Sequence, residues 1–273
     1  MLAQLLACPT PPPVPPTEAA IAASEPLECA DLAPTDLAEQ QRDEARAMQR
    51  RAPEPWIDWP IPYNDERARL TAAYLARHRG PQYDTGDAWR DVQMEPKLIV
   101  LHWTASATAR AGWNAFEPIR SRRRGLLEGQ LLNVSSHFLV DRDGTIYRLV
   151  PEDLVARHTI GLNHLAIGVE NVGDGRRWSL TQAQVDANAR LVRWLATTYP
   201  ITHLIGHHEY RLMEGHPYFE ELIPSFRTGK VDPGPAFMSA VRAQVADLGL
   251  SGPSSPADSP ESLVETDAPA RAR

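Results

Sequence analysis

The feature that most constrains the fold of this chain is a set of short, continuous apolar segments. Leu98–Leu101 contains no polar residue, which is typical of a strand buried on both faces of a sheet. Ala166–Glu170 and Thr202–Ile205 are two further predicted strands. His137–Val140 and Thr145–Val150 are separated by turn-forming residues and therefore predict a β-hairpin.

Helices are predicted between and around these strands. Leu180–Thr198 is strongly amphipathic, with Ser179 as its candidate cap, and Glu66–His78 and Pro235–Leu248 are the other predicted helices. The segment between the first helix and Pro96 is predicted to be a loop. Because strands and helices are mixed, with one hairpin and several crossovers, we predict an α/β fold. It would be a single domain whose central mixed β-sheet is flanked by helices.

The two ends of the chain differ in composition from its middle. Residues 1–54 are rich in proline and alanine, and residues 250–273 are rich in proline, serine and acidic residues. Such segments bury too little apolar surface to offset the entropy of ordering them. We therefore predict a disordered tether over 1–54, a folded domain over 55–249 with its motifs in 96–247, and a disordered tail over 250–273.

Charge and cysteine content exclude several classes of protein. The formal net charge is −7, but residues 97–247 carry 17 Lys and Arg against 15 Asp and Glu, so the acidic excess lies in the flanks. A nearly neutral core without a concentrated basic face gives no basis for nucleic-acid binding. Both cysteines, Cys8 and Cys29, precede the predicted domain, which excludes a disulfide framework and a thiolate metal site within it.

The N-terminus carries a candidate processing signal. Leu5-Leu6-Ala7-Cys8 resembles the box at which bacterial lipoproteins are cleaved and lipid-modified on the cysteine. The apolar stretch before it is short and has no positively charged start, so the true start would lie upstream. This interpretation predicts a periplasmic, cell-envelope protein attached to the membrane only through Cys8. The alternative is a chance Leu/Ala run in a cytoplasmic protein.

Polar side chains that can carry chemistry follow the predicted strands. His102 comes directly after the first strand, Glu170 ends the second, and His207 and His208 follow the third. Asp232 lies in the loop before the last helix. Ends of strands beside loops are where α/β sheets build their sites. Two imidazoles and one carboxylate can form the first shell of a catalytic Zn²⁺ and leave its fourth position to water. On spacing alone, packed or hydrogen-bonded histidines explain the pattern as well.

Five motifs occur in a fixed order along the chain. They are Leu98–Ser106, Ser136–Tyr147, Ala166–Glu170, Ile205–His207 and Lys230–Pro235. In this order they resemble the zinc-dependent N-acetylmuramoyl-L-alanine amidase family, which includes phage lysozymes and the peptidoglycan recognition proteins. The resemblance covers roughly residues 96–245. It implies an amidase fold, a bound Zn²⁺ and peptidoglycan or a muropeptide as the substrate.

The resemblance also implies a role for each matching residue. The positions that match the zinc ligands are His102, His207 and Asp232. Glu170 matches the general base, and Lys230 matches the cation that stabilises the developing oxyanion. The Gly-His pattern favours His207 over His208 as the ligand. An aspartate as the third ligand, together with Glu170, indicates the AmpD- and AmiD-like branch of the family.

Several further features near these motifs are open to a functional or a structural interpretation. His158 and Asn163 match cleft residues of the family and are predicted to contact substrate, although a structural role explains them equally well. Two insertions, 117–132 and 209–227, are predicted to form walls of the cleft; the first, which includes consecutive arginines, is also explained by a solvated loop. His137 lies within a predicted strand and is interpreted as a core histidine rather than a ligand.

The function implied is hydrolysis of the amide that joins N-acetylmuramic acid to L-alanine, in intact peptidoglycan or in released muropeptides. One alternative is a peptidoglycan-binding module without activity. Relatives of that kind characteristically lose one or more zinc ligands, whereas all three matching positions are intact here. The other is a zinc amidohydrolase acting on a different amide. The chain is taken to be a monomer by default.

Overall fold

The computed structural model describes residues 55–122 and 131–253. The predicted tether with the Cys8 motif, most of the predicted tail and part of the first insertion lie outside the described residues. The domain limits of 55–249 accordingly stay a prediction. Within the described ranges, no helix is both long enough and apolar enough to cross a membrane.

The central feature of the fold is a six-stranded sheet in the order β1-β4-β3-β5-β2-β6. Its strands are β1 (Ile57–Asp58), β2 (Leu98–Trp103), β3 (Phe138–Val140), β4 (Ile146–Arg148), β5 (Ala166–Asn171) and β6 (His203–Gly206). Only the β3–β4 hairpin is antiparallel, and the other four pairs are parallel. The mixed sheet and the α/β class are therefore confirmed.

Five α-helices accompany the sheet among the described residues. They are α1 (Asp65–Arg79), α2 (Ala88–Asp91), α3 (Ala109–Phe116), α4 (Gln182–Thr198) and α5 (Pro235–Gln244). The sequence predicts that the last helix continues to Leu248, but it ends at Gln244 and a short 3-10 turn follows over Ala246–Leu248.

Side chains of strand β2, which lies between β5 and β6, alternate between two apolar clusters. Ile99 and Leu101 belong to the cluster that includes residues of α4 and α5. Leu98 and Val100 belong to a different cluster, which includes Tyr210. Helices thus cover one face of the strand, and the 209–227 insertion helps to cover the other, so β2 is buried on both faces as its sequence predicts.

The cap of α4 differs from the prediction. The N-cap is Thr181 rather than Ser179, and its hydroxyl accepts a hydrogen bond from the backbone N–H of Gln184 at 3.2 Å. Each candidate cap is followed three positions later by a glutamine, so the local pattern does not distinguish the true cap from the other candidate. Tertiary contacts do: the Gln184 amide also donates to the backbone oxygens of Val140 and Val172.

Three short elements have no counterpart among the sequence predictions. β1 is held by parallel pairing of Ile57 with Tyr147 in β4, and α2 lies inside the segment predicted as a loop. α3 contains Gly112, where a Cβ atom would lie only 3.3 Å from Leu139 in the sheet. The close approach of helix and sheet explains a glycine in the middle of a helix, where it lowers intrinsic helix propensity.

A buried pair fastens the 209–227 insertion to α1. Nδ1 of His78 lies 2.9 Å from both carboxylate oxygens of Glu221, and both side chains are almost fully excluded from solvent. The backbone N–H of Leu222 also donates to the carbonyl of His78 at 2.8 Å. Helix α1 and the insertion are thus held together.

We expect His78→Leu to lower the free energy of unfolding by roughly 3–5 kcal/mol, because it removes the imidazole from the buried Glu221 carboxylate, whose Oε1 keeps the hydrogen bond from the backbone N–H of Ile223. Glu221→Gln should cost much less, since the amide oxygen still accepts from His78. Urea denaturation at neutral pH measures both values. Equal losses in the two variants would contradict this account, because an amide at position 221 would then not replace the carboxylate as the acceptor.

Candidate metal centre

The predicted site residues meet at the carboxyl ends of three parallel strands. His102 lies in β2 directly opposite Glu170 of β5, and His207 follows the last residue of β6. Asp232 comes from the loop that precedes α5. Because β2, β5 and β6 run parallel, their carboxyl ends meet at the same edge, where α/β folds place their sites.

The side chains of His102, His207 and Asp232 form a compact, buried cluster. Nδ1 of His102 lies 2.9 Å from Nδ1 of His207, and these two nitrogens lie 3.3 Å and 3.0 Å from Oδ2 of Asp232. The three residues are 2%, 6% and 9% exposed. Three donor atoms from distant parts of the chain therefore converge on one point.

The donor set fits a metal ion. A tetrahedral ion bonded to nitrogen and oxygen at about 2.0–2.1 Å places its ligand atoms roughly 3.3 Å apart. The three separations, 2.9, 3.0 and 3.3 Å, are close to that spacing. The cluster is also the group of histidine and acidic side chains in the described ranges whose geometry could hold a metal ion.

His207 rather than His208 faces this cluster. Nδ1 of His208 lies 3.1 Å from the backbone oxygen of Asp232, and its backbone N–H donates to the same oxygen at 2.7 Å. His208 thus fixes the backbone of the loop, while His207 contacts the Asp232 carboxylate. The geometry agrees with the Gly-His pattern of the sequence.

The protonation states also suit a metal site. Burial alone would raise the pKa of Asp232, but hydrogen bonds and charge from His102 and His207 hold it below its usual range. Burial, followed by the charge of His102, lowers the pKa of His207 to about 4, against the opposing effect of Asp232. An ionised carboxylate and a neutral imidazole are the forms that bind metals.

Glu170 lies beside the cluster with one oxygen free to act. Its side chain is buried, and its Oε2 has no hydrogen-bond partner among residues 55–122 and 131–253. Burial and the neighbouring charge of Asp232 raise the pKa of Glu170 well above its usual range, against the effect of Lys230. This environment favours the protonated form of the Glu170 carboxyl group.

The cluster opens into a cavity of about 290 Å³. Glu170 and Lys230 both line it, together with apolar side chains from several elements: Trp103, Phe116 and Val134. A second cavity of about 170 Å³ lies alongside and shares His158, His207 and Lys230 with the first. The predicted base, cation and ligands thus face the same space.

The two predicted substrate residues have their polar atoms engaged within the protein. Nδ1 of His158 lies 3.1 Å from Nε2 of His102, and its Nε2 lies 3.0 Å from the backbone oxygen of Ala166. Asn163 accepts from the backbone N–H groups of His158 and Thr159, at 2.8 and 2.7 Å, and donates to the hydroxyl of Tyr74 at 3.1 Å. Both line the smaller cavity, and their contact with substrate stays a prediction.

Two residues of the site carry no motif in the sequence. Tyr74 belongs to the apolar face of α1, and its hydroxyl contacts Asn163 across 89 positions of the chain. Thr159 places its hydroxyl 3.3 Å from Nε2 of His102. The only sequence signal for Tyr74 is its residue type, because a buried tyrosine needs a partner for its hydroxyl.

Of the two insertions, the second reaches the smaller cavity. Phe226 and Thr228, at its end and just after it, line that cavity. The ends of the first insertion are joined by an antiparallel bridge between Arg120 and Leu132, and residues 123–130 lie outside the described part of the chain. The role of the insertions in specificity stays a prediction.

Comparison with known proteins identifies the family. A family profile described as N-acetylmuramoyl-L-alanine amidase matches residues 92–235, more than half of the chain. The endolysin of Klebsiella phage KP32 is 31% identical over 123 residues, which cover 43% of this chain and 78% of the endolysin. Among solved structures, the amidase LysC from Clostridium intestinale URNW is 25% identical, with 56% of this chain and 87% of LysC covered and a TM-score of 0.39. A selenomethionine derivative of AmpD is 23% identical, with 70% and 94% covered and a TM-score of 0.43. From the profile and the phage relative, this chain belongs to the N-acetylmuramoyl-L-alanine amidase family.

Proposed function

We propose that this protein hydrolyses the amide bond between the lactyl group of N-acetylmuramic acid and L-alanine, in peptidoglycan or in muropeptides released from it. The observation that carries the proposal is the buried cluster of His102, His207 and Asp232, with Glu170 in register beside it. Family membership and the phage relative that is named an endolysin support the substrate class. We place the protein in the AmpD- and AmiD-like branch because its third candidate ligand is an aspartate.

The candidate cofactor is Zn²⁺, which His102, His207 and Asp232 would hold. When bound there, it would supply a Lewis acid and lower the pKa of a water molecule towards ~7. The three side chains contribute nitrogen and oxygen donors, the set typical of catalytic zinc sites with one position left open.

Glu170 is the proposed general base and acid. Its unpartnered Oε2 would take the proton of the attacking water as the water oxygen bonds to the carbonyl carbon. The same atom would then give the proton to the leaving nitrogen as the carbon–nitrogen bond breaks, which yields a carboxylic acid and the free amine of L-alanine. The raised pKa of Glu170 suits a group that must hold the proton between these steps.

Lys230 is the proposed electrostatic stabiliser. Its side chain lines the same cavity as Glu170, so its ammonium group can lie near the carbonyl oxygen as that oxygen becomes negative. Trp103, Phe116 and Val134 line the cavity with apolar surface. Partial exclusion of water there would strengthen the interaction between the ammonium group and the oxyanion.

We place the protein at the cell envelope, because peptidoglycan lies there. The proposed membrane attachment through Cys8 depends on residues outside the described ranges. Mass spectrometry of the mature chain, purified from its native source, should detect a lipid on Cys8. An unmodified Cys8 in the mature chain would exclude the anchor without affecting the proposed reaction.

The decisive experiment is mass spectrometry of defined muropeptides after incubation with the protein, with and without a metal chelator. We expect free stem peptides that begin at L-alanine, no such product with the chelator, and recovery when Zn²⁺ is restored. Absence of cleavage by protein that contains zinc would overturn the proposed reaction. Binding to peptidoglycan under the same conditions would then indicate a binding module.

A further inference from the structure

We propose that His158 is a positioning residue, which fixes the tautomer and ring orientation of His102 so that Nδ1 of His102 faces the metal cluster. The inference rests on the proposed function, because it concerns the same site. His158 would hold the side chain of His102 in place, in addition to any contact that it makes with substrate.

The two ring nitrogens of His102 face different neighbours. Nδ1 lies 2.9 Å from Nδ1 of His207 and 3.3 Å from Oδ2 of Asp232, within the cluster. Nε2 lies on the far side of the ring, 3.1 Å from Nδ1 of His158 and 3.3 Å from the hydroxyl of Thr159. His102 can present a bare Nδ1 to a metal only if Nε2 carries the proton.

The position of that proton follows from the contacts of His158. Its Nε2 lies 3.0 Å from the backbone oxygen of Ala166, and a carbonyl oxygen can only accept. Nε2 of His158 therefore carries the proton, and Nδ1 of the neutral ring is an acceptor. Nδ1 of His158 lies 3.1 Å from Nε2 of His102 and 2.9 Å from the hydroxyl of Thr159. Two bare nitrogens at that distance repel each other, so Nε2 of His102 carries a proton, which points at Nδ1 of His158 and the Thr159 hydroxyl. Nδ1 of His102 is left with its lone pair towards the cluster. Such outer partners orient metal-binding histidines and raise their basicity.

The surroundings hold the His158 ring in one place. Asn163 accepts hydrogen bonds from the backbone N–H groups of His158 and Thr159, and Tyr74 of α1 accepts from Asn163. On its other side the ring lies against Gly168, where a Cβ atom would be 2.7 Å from Cγ of His158. A side chain at position 168 would displace the ring, so the glycine makes room for it.

Asparagine and leucine at position 158 provide a matched pair for the test. They are similar in shape, but only asparagine places an acceptor, Oδ1, near the position of Nδ1 of histidine. We expect His158→Leu to raise the Kd for Zn²⁺ by about 10–100-fold, as losses of such outer partners do, and His158→Asn to raise it only a few-fold. Competition with a fluorescent zinc chelator measures both values without reference to activity.

His137 supplies the control. It is fully buried beside His158, donates from Nε2 to the backbone oxygen of Leu154 at 2.9 Å and accepts from the N–H of Gly168 at 2.9 Å. His137→Leu therefore removes the same kind of buried imidazole without a direct contact to the cluster. It should lower the melting temperature but leave the zinc Kd within a few-fold of wild type.

A measurement on the unmodified protein covers the case in which a variant fails to fold. Nitrogen-15 NMR of the zinc-loaded wild type should show His158 protonated at Nε2 and bare at Nδ1. The opposite tautomer, or equal zinc affinities of the leucine and asparagine variants, would overturn the inference. If wild type binds zinc and cleaves muropeptides, that outcome leaves the proposed function intact. If wild type binds no zinc, the proposed function fails first.

Discussion

Glu170→Gln is expected to lower kcat by about 10³-fold while the protein keeps its zinc, because glutamine has nearly the same shape but cannot take up a proton. General acid–base groups contribute roughly 10²–10⁴-fold to rates. Glu170 is not one of the three clustered donors, and its Oε2 has no partner among the described residues whose loss would disturb the fold. Release of stem peptide from a defined muropeptide measures kcat, and elemental analysis measures bound zinc.

Two results would contradict this role. Activity within tenfold of wild type would remove Glu170 as the group that transfers the proton. Loss of zinc together with activity would instead make Glu170 part of the metal site. Because the buried carboxylate costs free energy to ionise, we also expect Glu170→Gln to be at least as stable to heat as the wild type.

The sequence predicts the parts of the fold that have strong local patterns. The buried strands β2, β5 and β6 and the long helix α4 lie close to their predicted limits. β1 has only two residues and forms through pairing with β4, which no local pattern reveals. The true cap of α4 is also not readable from the sequence, because Ser179 and Thr181 share the same spacing to a glutamine and long-range contacts choose between them.

The sequence predicts which residues form the candidate site but not all the contacts between them. The sequence puts His102, Glu170 and His207 at the ends of predicted strands, and the family resemblance implies that they share one site. The structure adds that β2, β5 and β6 are parallel neighbours, so these ends meet. It does not reveal the contribution of α1, since the hydrogen bond between Tyr74 and Asn163 joins residues far apart in the chain. The engagement of His158 with His102 is likewise a property of the folded chain.

Adjacent histidines provide the most direct test of the metal cluster. His207→Ala is expected to raise the Kd for Zn²⁺ on the order of 10²–10³-fold. The binding free energy of tightly bound Zn²⁺ is roughly 10–16 kcal/mol, and the expected change corresponds to about one ligand's part of it. Activity at limiting zinc should fall with it. His208→Ala should leave the Kd within a few-fold of wild type. The His208 side chain contacts the backbone oxygen of Asp232 and, at 3.9 Å, the Glu209 carboxylate, neither of which belongs to the cluster, and its own N–H keeps the bond to Asp232.

The two variants test which of the two neighbouring imidazoles binds the ion. Both variants lose one imidazole from neighbouring positions, so a general effect of removing a histidine would appear in both. Chelator competition on the two purified variants, with circular dichroism to verify folding, gives the answer. A large loss of zinc affinity in His208→Ala with little change in His207→Ala would reverse the assignment. Equal small effects in both would mean that the ion binds elsewhere. His207 is buried 3.0 Å from the Asp232 carboxylate, so an ion in this cluster would contact it and its loss would weaken binding.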